Sequence, residues 1–404
     1  VAIVLNVPPT EDFTAFNALV ARQGEHLGPM VDWTGKECMD TDGLDGLLAF
    51  IKPYVPEAAH FLGDKLRLCQ TGMGTIKDKV TTVDRELRTE DERNASAIRA
   101  LFPEELSGFP DISTVSGGAN LGNFSDEAVT LKTPDPPKEF SQGVVGRLAG
   151  MKSGHEMIIA NKAYKMVTGE SLIDQLFKPL TGDWDRLMYL HDAYDTLGDA
   201  CYTVTATLRK GSWKIGSEWK GDTATAFDSY MFRWTMGLGG IGDAAKEVAK
   251  ACKDGYDTIL TLVRAAVGAI DQLIDSAIKA LAKEALEMVA GDAAIEVVGL
   301  GPEDPVADVV ALGWTAYKMV KIYEKVRAVV RGVTTIVTIF NNIEQAAKQI
   351  PDAISKVTKS VGNFINDDQS LTDYVEQRGF EFEKNTGWDP ILGAARIGML
   401  PSAT

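Results

Sequence analysis

The chain has 404 residues, 45% of them hydrophobic, enough to build a packed core and to exclude wholesale disorder. Aspartate and glutamate outnumber lysine and arginine by 57 to 41, and the net charge of −16 disfavours nucleic-acid phosphates and anionic lipid heads as partners. Four dispersed cysteines, Cys38, Cys69, Cys201 and Cys252, make neither a disulfide framework nor a Cys-x-x-Cys metal site.

The run from Val1 to Val7 has no basic residue before it and is too short for a signal-peptide core. A short helix from Glu11 to Arg22 turns Phe13, Phe16 and Val20 inward, with Thr10 as its cap and Glu11 and Asp12 at its positive end. Another short helix, near Leu44 to Ile51, meets breaks at Pro53 and Pro56. From Leu62 the apolar residues Leu66, Cys69, Met73, Ile76, Val80, Val83 and Leu87 follow in alternating steps of four and three. That spacing keeps one stripe on one face of a long helix. It stutters beyond Leu87 and is stopped at Pro103. Between Ser107 and Ser141, Gly, Pro and Ser leave little to bury, which marks a linker or crossing segment.

From Asp183 a helix is predicted through Trp184, Leu187, Leu190, Tyr194, Leu197, Cys201, Val204 and Leu208, ending near Gly211. After Trp219-Lys220-Gly221 the strongest stripe begins, through Phe227, Met231, Trp234, Leu238, Ile241, Ala245, Val248 and Cys252, and continues toward Met288. Two such stripes flanking a short turn should fold back antiparallel. Gly221 would ease the reversal, Trp219 would cover the end of the apolar seam, and Asp222 and Thr223 would offer oxygens to exposed amides of the second helix. Gly299 to Pro305 breaks the pattern, a last helical stretch runs from Val306 to Val357 with interruptions near Gly332 and Pro351, and the residues beyond Asp367 turn polar.

The expected fold class is all-α: an elongated helical bundle built on one or two long antiparallel hairpins, with negligible strand content. The boundaries are an N-terminal helical domain at 1–106, a linker at 107–143, the hairpin domain at 144–298, a C-terminal helical segment at 299–366 and a loosely ordered tail at 367–404. No stretch reaches the ~20 apolar residues of a membrane span. The basic cluster Lys318, Lys321, Lys325, Arg327 and Arg331 reads as a solvated helix face.

Gly237-Leu238-Gly239-Gly240-Ile241-Gly242 matches the dinucleotide-binding glycine pattern in letters only, because it lies within a helical stripe rather than between a strand and a helix. No cofactor is therefore expected. His26, His60, His155 and His191 lack metal-ligand spacing, and neither a Gly-x-Ser-x-Gly elbow nor a phosphate loop is present, so no catalytic or metal-binding residue is assigned and the chain reads as non-enzymatic.

The span from Gly182-Asp183-Trp184 through Trp219-Lys220-Gly221-Asp222 to Phe227 resembles the WXG-motif proteins of type VII (ESX) secretion, in particular their long actinobacterial members. The likeness covers roughly residues 170–290. It implies a helical bundle, export without a cleaved signal peptide to the cell surface or medium after a cytoplasmic stage, pairing with a small helical WXG-type partner and docking to a secretion ATPase. The turn residues Trp219, Gly221, Asp222 and Phe227 then become the partner motif, and Trp33-Thr34-Gly35 is a second Trp-x-Gly that marks either a degenerate copy of the hairpin or an unrelated helical cap. Such proteins or their partners usually carry Tyr-x-x-x-Asp/Glu after the hairpin. This chain has no such five-residue signal, and its nearest equivalent is Phe340 to Glu344. The function so implied is that of a secreted scaffold, carrier or toxin-delivery module, with self-association a further option. A membrane-active oligomerising helical protein and a viral tail or assembly protein are the alternatives. Trp219 separates two roles: an exposed ring would serve recognition and a buried one would serve folding.

Overall fold

In the computed structural model, residues 7–87, 97, 99–102, 113, 122–138, 140–290 and 316–366 are described. Among the described residues every regular element is helical, and none is a strand. The principal helices are α1 (Thr10–Lys36), α2 (Tyr54–Leu87), α3 (Val145–Ser153), α4 (His155–Thr168), α5 (Leu172–Phe177), α6 (Arg186–Glu218), α7 (Asp222–Leu273), α8 (Lys279–Ala290) and α9 (Ala316–Asn366). A 3-10 turn, Gly46–Ile51, stands between α1 and α2, and a π-helical turn, Ile274–Ile278, carries α7 into α8.

α1, α2, α7 and α6 pack as a ring of four, each against the next. Their directions follow from which residues meet. Gly24 faces Met73 and Thr34 faces Gly63, so α1 and α2 run antiparallel. Gly211 receives Leu19, whereas the Trp33 indole reaches Ala193, so α1 and α6 also run antiparallel. The Tyr202 hydroxyl donates to Asp243 at 2.5 Å and the His191 Nδ1 lies 2.9 Å from the Ala249 carbonyl, giving the same relation between α6 and α7. The stripes drive this packing. Leu62, Leu66, Met73, Ile76, Val80 and Val83 are buried on α2, and Phe227, Met231, Leu238, Ile241, Ala245, Val248 and Cys252 are buried on α7. Removing that apolar surface from water is what holds such helices together.

The remainder of α7, with α8, packs against α9, where Ile350 lies on Gly255, Leu273 on Gly332 and Lys321 pairs with Glu284 at 3.8 Å. α4 packs on α8.

Several boundaries differ from the sequence reading. α1 runs to Lys36 rather than Arg22, through Pro29, because Leu27, Met30 and Trp33 extend its buried face. Thr10 is its first residue rather than its cap, and its hydroxyl donates to Asp84 at 3.3 Å. α6 continues past Gly211 to Glu218, since that glycine makes room for Phe16 and Leu19 of α1. α9 passes unbroken through both Gly332 and Pro351. Cys69 and Trp234 are half-buried rather than core, the indole lying over Gly72 of α2. The stutter after Leu87, the break at 299–305 and the polar tail beyond 367 fall outside the described residues or mostly so.

Part of the linker is described, as a strap without regular structure over residues 122–138. Asp126 accepts from Gln23 at 2.5 Å and pairs with Arg22 at 3.4 Å on α1, while Glu127 pairs with Lys210 on α6 and Phe124 packs on Phe16. The strap therefore lies across the seam between α1 and α6.

Candidate turn site at Trp219

The connection between α6 and α7 is three residues long, Trp219 to Gly221. Trp219 has extended backbone and Gly221 has φ of +108°. A Cβ at Gly221 would meet no neighbouring atom, so the glycine is required by its left-handed torsion rather than by crowding. Asp222 opens α7 without capping an amide through its side chain. It is 83% exposed and pairs with Arg99 at 3.5 Å.

The Trp219 ring is only 1% exposed. It meets Phe13 edge-on, with centroids 5.8 Å apart, and Phe227 at 5.7 Å. Phe227 in turn packs against Phe16 and Phe102, each at 5.9 Å. The predicted motif residues Trp219 and Phe227 thus belong to one aromatic cluster, whereas Lys220, Gly221 and Asp222 face solvent. Nearly three turns back along α6, Arg209 lies buried with its guanidinium 5.6 Å from the Trp213 ring and 4.9 Å from Phe232. Burial pulls the Arg209 pKa down to about 9, and the charge of Asp228 works against that shift.

Trp33 and Gly35 lie at the other end of α1. Trp33 is 7% exposed and its Nε1 donates to the Ala193 carbonyl at 2.9 Å. Beside it, burial pushes the Glu37 carboxyl up, but hydrogen bonds from Lys36 and Tyr189 outweigh burial and leave it below its ordinary value. Phe340 is buried on α9 and Glu344 pairs with Lys348 at 2.6 Å, so both belong to a continuous helix remote in sequence from the turn. The structure does not bring Trp219 and Trp33 together. They stand toward opposite ends of α6, a helix of 33 residues spanning ~50 Å.

Burial drives the four thiols toward the protonated form, with Cys69 and Cys252 at about 12 and Cys38 and Cys201 raised as well. Protonated thiols are poor nucleophiles and metal ligands. Among the described residues no group of His, Cys, Asp or Glu is placed to hold a metal ion. Gly237 to Gly242 lies wholly within α7, where Gly242 gives room to Cys201 and Tyr202 of α6, so that glycine serves helix contact. Among the described residues no helix is long and apolar enough to cross a membrane. An open groove of about 400 Å³ between α3 and α5, walled by Leu148, Ile173 and Phe177 with Lys152, Asp174 and Lys178, lies toward the Trp184 end of α6.

Contacts around the turn were only partly legible in the sequence. Phe13 and Phe16 read as inward-facing, but nothing local named Trp219 and Phe227 as their targets. Arg209 sits amid buried Thr205, Leu208 and Ser212, a charge on a face that already carries small polar residues, so no break in an apolar stripe marked it. Comparison with family models, with curated proteins and with solved structures finds no match.

Proposed function

We propose that this chain is a non-catalytic, type VII secretion-associated interaction protein, a scaffold or carrier in which two long antiparallel hairpins, α1/α2 and α6/α7, form one bundle. The observation that carries the reading is the division of labour within the turn. Trp219 is locked in an aromatic core, and the Gly221 torsion turns Lys220 and Asp222 outward at one end of the bundle. A rigid, charged turn held at a fixed position suits docking to another protein better than chemistry, which needs convergent titratable groups.

On this reading the contact surface for a secretion ATPase is the exposed turn, Lys220-Gly221-Asp222, with Trp219 as its anchor. In the segment Phe340 to Glu344, Phe340 is buried on α9 and Glu344 is paired with Lys348, so an export signal in trans, or a determinant elsewhere in the chain, completes recognition. The test is export of the full chain from cells with and without a functional type VII ATPase, together with the double reversal Lys220→Glu/Asp222→Lys. Export that depends on the ATPase and is lost in the variant, at an unchanged melting temperature, is expected. Export indifferent to the ATPase would refute the proposal.

A further inference from the structure

Two Trp-x-Gly segments occur in the chain, and each stands at the end of the first helix of an antiparallel pair: Trp33 at the end of α1, which leads to α2, and Trp219 directly after α6, which leads to α7. Each tryptophan contacts the opposite pair. Trp219 packs on Phe13, near the start of α1, and Trp33 hydrogen-bonds to Ala193, near the start of α6. The end of each first helix therefore meets the beginning of the other. Reciprocal contact of this kind is what a two-fold axis imposes on two copies of one unit.

Between those two points the contact is apolar and close. Gly211 admits Phe16 and Leu19, with a position for a Cβ only 3.0 Å and 2.7 Å from their ring and methyl carbons. On the other side of the ring of helices, Trp234 of α7 lies over Gly72 of α2, and Phe102 packs on Phe227. Loop residues tie the ends. The Asp183 amide donates to the Gly43 carbonyl at 2.7 Å, fastening the α1–α2 connection to the entry of α6.

We infer that the chain is a covalent pseudo-dimer, in which the α1/α2 hairpin is the built-in partner of the α6/α7 hairpin. The seam on which a separate small helical protein would sit is filled in cis. The inference rests on the proposed function only in reading that seam as a partner-binding surface; the pairing itself stands on the contacts. It replaces the expectation of a small external partner with a segment of this chain.

The test is a full-length chain with a protease recognition sequence inserted between Asp135 and Pro136, in the exposed strap, purified and then cut. The two pieces are expected to co-elute at the size of the uncut chain at micromolar concentration and to separate only in denaturant. Phe13→Asp in the cut protein should release the N-terminal piece, whereas Leu68→Asp, at a side chain on the exposed face of α2, should not. Size-exclusion with light scattering should give the uncut chain without a small helical companion. Pieces that separate or aggregate without any substitution would overturn the inference. So would a stoichiometric small protein that buries Phe13 and Trp219 in place of each other. None of these outcomes depends on export, so the secretion reading and the pairing can fail separately.

Discussion

The Phe13 ring stands edge-on to the Trp219 indole, with centroids 5.8 Å apart and planes inclined at 84°. The two residues are separated by most of the bundle-forming sequence, yet each is 1% exposed, and the contact joins the first turn of α1 to the residue directly after α6. Burial of both rings supplies most of the stabilisation, and the edge-to-face geometry adds a directional component.

Truncating either ring should therefore act on folding. Phe13→Ala and Trp219→Ala are each expected to cost about 3–5 kcal/mol in urea or guanidinium titrations. The double variant should fall short of the sum by about 0.5–1.5 kcal/mol, the worth of an aromatic pair beyond its area. Strict additivity would mean that the two rings do not share a contact in solution.

Glycines within helices give a sharper discrimination. Gly211 and Gly237 both sit inside helices, where alanine is intrinsically better by about 1 kcal/mol. A Cβ on Gly237 meets nothing within 4 Å, so Gly237→Ala should stabilise the protein by up to about 1 kcal/mol. On Gly211 a Cβ would lie 2.7 Å from a Leu19 methyl and 3.0 Å from the Phe16 ring. Gly211→Ala should therefore destabilise, by about 1–3 kcal/mol as overpacking does. Thermal melts of the two variants check the sign, and a stabilising Gly211→Ala would show that α1 does not press on α6.

Those glycines also mark how far the sequence could be read. The α7 stripe was legible because its steps of four and three run without a gap, and its residues from Phe227 to Cys252 are buried apart from the half-buried Trp234, although Phe232, Thr235, Asp243, Ala244 and Ala249 are buried beside them. Helix ends were less legible wherever a glycine or proline was tolerated for a distant reason. Gly211 looked like a terminator, but its use is to admit side chains from α1. Gly332 likewise accommodates Leu273 of α7 inside an unbroken α9. At the turn, the connection between α6 and α7 comprises Trp219 to Gly221. The burial of Trp219 depends on Phe13, and no local pattern encodes a partner so far away in the chain.

The junction of α1 and α6 should respond to pH. Burial, followed by a hydrogen bond and charge repulsion from Glu218, raises the Asp12 carboxyl above its ordinary value, with Lys214 opposing and Glu11 adding repulsion. A carboxyl whose pKa is raised by folding makes the folded state hold the extra proton. The associated stability is fully present below the unfolded value and is lost as pH rises through the folded one. Glu218→Gln removes the repulsion while forgoing only the partly exposed pair with Lys214. The variant should gain melting temperature relative to the parent at pH 7, and that gain should shrink toward pH 4. Parallel melting curves across the range would remove Asp12 and Glu218 as a coupled pair.

Arg209 and Asp228 set the last test, because both are 1% exposed and a buried charge is expensive unless it is compensated. Despite its lowered pKa of about 9, the guanidinium remains charged at neutral pH. It lies against the rings of Trp213 and Phe232, whose faces favour a cation, and the Asp228 carboxylate supplies opposite charge from α7. The Asp228 carboxylate also occupies the space a Cβ on Gly216 would need, so the charge sits at a close approach of α6 and α7 near the turn. Asp228→Asn keeps the shape and removes the countercharge, and should cost about 3–5 kcal/mol by leaving the arginine uncompensated. Arg209→Met strands the carboxylate instead and should cost a similar amount. With both changes no net charge remains in the site, so the double variant should recover at least ~2 kcal/mol relative to the sum of the single losses. Equilibrium denaturation of the three variants provides the comparison. Additive losses would show that the two charges are stabilised independently, by the aromatic rings on one side and by other hydrogen bonds on the other.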